Sequence, residues 1–142
     1  MSNSYGNIFV LGNYKGDLKG LATYLNGLQL GSSDCEFEFS DDAIFVRQCI
    51  VEDPTVFPEG DNDRLEFHAV KLSSYLTEGK LELVALMTDN SCTTWVERMI
   101  IHSNGSAERH RIIFSFGGEE IKRYSESYAS AASSIQKICF RA

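Results

Sequence analysis

Hydrophobic and polar positions along this chain alternate by strand and helix in turn. Residues 6–11 place Ile8 and Val10 on one side and Phe9 and Leu11 on the other, which predicts a strand with apolar neighbours on both faces, interior to a sheet. The run Gly12-Asn13-Tyr14-Lys15-Gly16 breaks it, and Asp17 is placed to cap a helix over residues 19–28, where Leu18, Leu21, Leu25 and Leu28 form one stripe. Gly31-Ser32-Ser33 closes that helix. Residues 36–39 read Glu-Phe-Glu-Phe, a short half-buried strand; Ser40-Asp41-Asp42 turns the chain, and residues 43–51 return as a strand.

Residues 52–63 carry Glu52, Asp53, Glu59, Asp61 and Asp63, both prolines and no basic residue, and predict a solvated loop. Asn62 or Asp63 then caps a helix in which Leu65, Ala69, Leu72 and Leu76 share a face, although the alternation Leu65, Phe67, Ala69 also suits the start of a strand. Gly79 stops that element; residues 80–87 form a strand and residues 88–92 a turn. Two strand-forming runs follow, 93–102 and 108–116, joined by Ser103-Asn104-Gly105-Ser106. Asn-Gly between alternating runs signals a two-residue type I′ hairpin, which needs positive φ at both central residues. Gly117-Gly118 ends the hairpin, and Ile121, Tyr124, Tyr128, Ala131, Ile135 and Ile138 or Cys139 trace a long terminal helix.

The resulting order is β-α-β-β-α-β-β-β-α in a single domain spanning residues 1–142. Its first six elements follow the ferredoxin-like βαββαβ order, and a hairpin pair and terminal helix extend them. The fold class is α+β: a two-layer sandwich of a mostly antiparallel sheet with helices on one face. A meander with differently packed helices is the rival.

The type I′ turn places Arg98 opposite Arg111, with Arg109 facing Ile100 on the same side. Directly opposed like charges destabilise a sheet, so either an internal carboxylate or a partner must offset them. Glu82 on the preceding strand is the internal candidate: a five-residue connection sets it opposite Arg98, and a one-residue shift substitutes Leu83. The alternative is a partner-binding patch of Arg98, Arg109 and Arg111, with His102 nearby. The acidic residues Glu52, Asp53, Glu59, Asp61 and Asp63 form a second candidate surface, suited to a basic cleft, and Tyr14 is a third, as an exposed aromatic anchor.

Charge narrows the choice. A net charge of −7 argues against a phosphate-backbone binder and suits a protein partner with a basic surface, so no direct nucleic-acid contact is expected. No apolar run is long enough for a membrane span and no secretory leader is recognisable, which predicts a cytoplasmic protein. Cys35, Cys49, Cys92 and Cys139 form no C-x-x-C or Cys/His cluster, so no metal or cofactor is expected, and reduced, mostly buried thiols are the default. Asp61-Asn62-Asp63 is followed by Arg64 and lacks the order of a calcium loop. Gly12-Asn13-Tyr14-Lys15-Gly16 matches no phosphate-cradling motif, and Cys92 and His110 lie too far apart for a nucleophile–base pair.

No catalytic constellation emerges. The expected function is therefore non-enzymatic: a small acidic inhibitor or neutraliser of another macromolecule, of the toxin-immunity or phage anti-defence type, acting by occlusion. The rival classes are a small enzyme or ligand-binding domain with a pocket built from His110, Glu97 and Cys92, and an oligomer-building subunit marked by a broad exposed apolar patch.

Overall fold

The computed structural model describes residues 4–30, 35–48, 51–52, 56–57, 65–91, 93–115 and 118–128. Strand β1 (Ser4–Gly16) leads into helix α1 (Leu18–Leu28), then the hairpin β2 (Glu36–Phe39) and β3 (Ile44–Gln48), and helix α2 (Leu65–Ser73). Four consecutive strands follow: β4 (Leu76–Asp89), β5 (Thr94–His102), β6 (Ala107–Phe114) and β7 (Glu120–Tyr128). The chain is α+β, built on a five-stranded antiparallel sheet of order β1-β4-β5-β6-β7, with β2 and β3 paired in a separate two-stranded sheet. The first six elements come in the expected sequence β-α-β-β-α-β, but they do not build a ferredoxin-like sheet, because β2 and β3 do not join the main one. The succession β4 to β7 is instead a meander, to which β1 adds at one edge.

β1 is thus an edge strand rather than an interior one, bordered on its free side by the Val51 bridge to Gly6. The glycine run at 12–16 does not break it. The β1–β4 ladder runs from Ser4↔Asp89 to Gly16↔Leu76. Gly79 lies inside β4 instead of ending a helix; its φ is 85°, and a Cβ there would overlap the Asn13 carbonyl of β1, so only glycine lets the two backbones meet.

Both helices pack on one face of the sheet. Asp17 caps α1, its carboxylate accepting a bond from the Gly20 N–H at 3.1 Å; Leu18, Leu21 and Leu25 of the expected stripe are buried, joined by Ala22, while Leu28 is half-buried against the same core. Asn26 fastens α1 to β2 at both ends of its amide: Oδ1 accepts from the Phe37 N–H at 2.7 Å and Nδ2 donates to the Phe37 carbonyl at 3.0 Å. From α2, Ala69 and Leu72 join the same core, which meets Leu81, Leu83, Met99 and Ile101 of the sheet. Tyr24 of α1 bonds His68 Nδ1 of α2 at 2.8 Å, and burial, followed by the neighbouring Tyr75, raises the Tyr24 phenol above its ordinary value.

The acidic segment is not simply a solvated connection. Glu52 is exposed, but Val56 and Phe57 are buried in the core. The expected terminal helix is replaced over its first part by strand β7; Ala131, Ile135, Ile138 and Cys139 lie outside the described residues. Cys35 is disulfide-bonded, which corrects the expectation of reduced thiols, and the other three cysteines lie outside the described residues. Among the described residues, no helix is long and apolar enough to cross a membrane.

Candidate interaction surface

The β5–β6 turn decides where every charged side chain of the hairpin goes. Gly105 has a φ of 91°, but Asn104 does not enter the positive region that a type I′ turn demands. The Asn104 carboxamide oxygen instead accepts bonds from the Ser106 N–H at 2.9 Å and the Ser106 hydroxyl at 2.6 Å. His102 N–H donates to the Ser106 carbonyl and Gly105 N–H to the His102 carbonyl, leaving three residues in the loop with glycine in the left-handed position. That extra residue slips the register by one. Arg98 faces His110, Met99 faces Arg109, and Glu97 faces Arg111.

A one-residue slip exchanges the faces of a strand. The three arginines therefore do not share a patch: Arg98 lies on the open face, and Arg109 and Arg111 lie on the helix-covered face. Arg109 is 4% exposed and its Nη2 donates to Glu97 Oε1 at 2.9 Å; Glu97 is wholly buried and also accepts from the Val56 N–H at 3.1 Å. Burial pushes the Glu97 carboxyl up, and the Val56 N–H, Arg109, Arg111 and the Trp95 indole pull it back. The Arg111 guanidinium sits 5.5 Å from the centre of the Trp95 ring. On the other face, Arg98 is held by Glu82 at 2.5 Å, although the register sets Val84 opposite Arg98 and Glu82 opposite Ile100. The β4–β5 connection is shorter than the five residues first considered, since Asp89 N–H already bonds the Thr93 carbonyl, so Glu82 reaches Arg98 diagonally.

Tyr14 is not a surface anchor. It lies within β1, half-buried, and its hydroxyl accepts from the Ile44 N–H at 2.7 Å, tying the main sheet to β3. Of the acidic group, Glu52 is described and exposed; Asp53, Glu59, Asp61 and Asp63 lie outside the described residues.

What sequence reasoning missed is the open face itself. Alternation from the register places Tyr5, Phe9, Leu11, Val84, Leu86, Val96, Ile112 and Phe114 on the side away from the helices. Tyr5 and Leu11 are each more than half exposed, at 53% and 51%, and Phe9 and Leu86 nearly so. The signal was legible in Ile8-Phe9-Val10-Leu11: apolar residues on both sides of a strand call for cover on both faces, and the described helices cover only one.

The same face carries a polar row towards the β5–β6 turn. Glu108 bonds His102 Nε2 at 2.9 Å and His110 Nε2 at 3.3 Å, and His110 Nδ1 lies 2.9 Å from the Ser125 hydroxyl. The His102 bond is the main cause holding the Glu108 carboxyl below its ordinary value. Ser125, His110 and Glu108 resemble a nucleophile–base–orienter chain, but acyl transfer also needs paired donors aimed at an oxyanion. The amides of Glu108 and His110 are engaged in the β5–β6 ladder, and Glu108 is shared with a second histidine. His110 and Glu97 lie on opposite faces of the sheet, so they cannot line one pocket. Among the described residues, no group of three metal-ligating side chains converges.

No family model, curated protein or solved structure matches the chain.

Proposed function

We propose that this chain is a non-enzymatic binding protein that inhibits or neutralises another protein by covering it, and that its contact surface is the open face of the five-stranded sheet. One observation carries this reading: Tyr5, Phe9, Leu11 and Leu86 present large apolar side chains to solvent on one sheet face. Monomeric proteins rarely leave a contiguous apolar area above a few hundred Å² uncovered, and such areas mark interaction sites. The polar row of Arg98, Glu82, Glu108, His102 and His110 borders this area and supplies the charged rim typical of a contact surface. A net charge of −7 directs the choice of partner towards a basic protein surface, and occlusion needs about 800 Å² per side and no bond-making chemistry. Toxin-immunity and phage anti-defence proteins are functions of this kind.

The test is capture of partners from cells of the native source with the full chain, followed by calorimetric titration of the captured protein. A stoichiometric, salt-sensitive complex weakened at least about tenfold by Leu86→Asp, with the circular dichroism spectrum unchanged, supports the reading. Unchanged affinity in Leu86→Asp and Phe9→Asp overturns the surface assignment. Turnover of a small molecule by the purified chain, abolished by His110→Ala, overturns the non-enzymatic reading.

A further inference from the structure

We infer that the cleft where the β5–β6 turn meets β1 and β4 is a binding site for the phosphate group of a small ligand. The inference concerns one end of the sheet and is independent of the partner reading above.

The register builds the site. Asn13 of β1 pairs with Lys80 of β4, and Lys80 pairs with His102 of β5, so side chains from three strands stand abreast on one face. The turn after β5 closes the end of that row. Ser103 N–H donates to the Gly79 carbonyl at 3.0 Å, which holds the turn against β4. Gly79 itself has no side chain to fill the space between them. Asn13, Gly79, Lys80, His102, Ser103 and Asn104 together line a cleft of about 440 Å³, within the size range of small-molecule sites.

The chemistry of the lining selects the ligand. Lys80 brings a full positive charge, and no carboxylate lines the cleft. The nearby acids are engaged elsewhere: Glu82 holds Arg98, and Glu108 holds His102 and His110. Among the described residues, none bonds or pairs with the Lys80 ammonium, the Asn13 carboxamide or the Ser103 hydroxyl. The Asn104 Oδ1 is occupied by Ser106, which leaves the Asn104 Nδ2 hydrogens unused. His102, bonded to Glu108 through Nε2, forms a wall. An ammonium acts on phosphate as a point charge, and hydroxyl and carboxamide donors from separate strands and a turn suit a tetrahedral anion better than a planar one. A net charge of −7 disfavours a nucleic-acid backbone, whose many phosphates need many cations, but a single phosphate makes no such demand. The cleft is larger than a phosphate, so it has room for the group that the phosphate is attached to.

An NMR titration of the full, ¹⁵N-labelled chain with inorganic phosphate, at neutral pH and constant ionic strength, tests the inference. Saturable shifts confined to the amides of Gly79, Lys80, Ser103 and Asn104 and their sequence neighbours are expected. Lys80 is exposed, so Lys80→Met should leave the circular dichroism spectrum unchanged while weakening phosphate by about tenfold or more. Ser103→Ala is the second variant and should weaken it by about threefold or more. Acetate at the same concentration should produce no saturable shift. An equal response to acetate means a site for anions in general and overturns the phosphate assignment. Shifts scattered over the lysines of the chain, no shift at the cleft, or an affinity indifferent to both variants overturns the inference.

Discussion

Glu97 and Arg109 place a charge pair where a sheet of this size would ordinarily hold two apolar residues. Neither charge reaches water, and their mutual bond, with the Val56 N–H on Glu97, is what makes burial tolerable. Removing one partner strips the other of its buried ion pair, at a cost of up to about 3–5 kcal/mol, whereas replacing both with apolar residues of similar volume is often neutral. Chemical denaturation should show Glu97→Ala and Arg109→Ala each destabilised on that scale, and Glu97→Leu/Arg109→Met much closer to the parent. Two singles and a double of equal cost would dismiss the pair as the cause. Glu108, on the opposite face, supplies the pH dependence. Its folded-state carboxyl is lowered chiefly by the His102 bond, so its contribution is present above the ordinary value of 4.5 and lost as pH falls through the lower folded value. Acid titration of stability should therefore be shallower below about pH 4.5 in Glu108→Gln, with the neutral-pH fold intact.

Among the elements, the hairpin turn shows how a correct reading of a motif can still misplace its side chains. Asn104-Gly105 does mark a β-hairpin, but one residue more in the loop exchanges the faces of β6 relative to β5, and the supposed arginine patch divides across the sheet. The competing turn would need a positive φ at Asn104, a conformation that Asn tolerates better than most residues. Local sequence does not separate the two. Gly105→Ala puts a Cβ on a residue with φ of 91° and should cost about 1–2 kcal/mol in thermal or chemical unfolding; an unaffected midpoint would contradict this turn. Helix α1, its Asp17 cap and the strand identity of β2 to β6 were legible because each has a strong period or a capping signal. β7 was not: Ile121, Tyr124 and Tyr128 fit a helical stripe, and Glu-Ile-Lys-Arg-Tyr-Ser-Glu-Ser-Tyr also alternates. The unfilled edge of β6, a tertiary demand, decided between them. Gly79 misled for a related reason, since the glycine that ends helices also admits a close strand neighbour.

At the scale of the molecule, the two faces of one sheet have different fates. Helices α1 and α2 close one, and the other leaves Tyr5, Phe9, Leu11 and Leu86 in water beside a charged row. Charge balance argued against nucleic acid as the expected partner but carried no information about which face the described helices leave open, because that depends on where helices land. The long ladder between β1 and β4 has its own consequence. β1 is made before β4, and Ile8 must wait for Ala85, 77 residues later in the chain. Closing so long a loop is entropically unfavourable until the β4–β7 meander offers a template. The amino-terminal strand is then the last to dock, and in the interval its Ile-Phe-Val-Leu run is bare on both sides and open to capture by a chaperone.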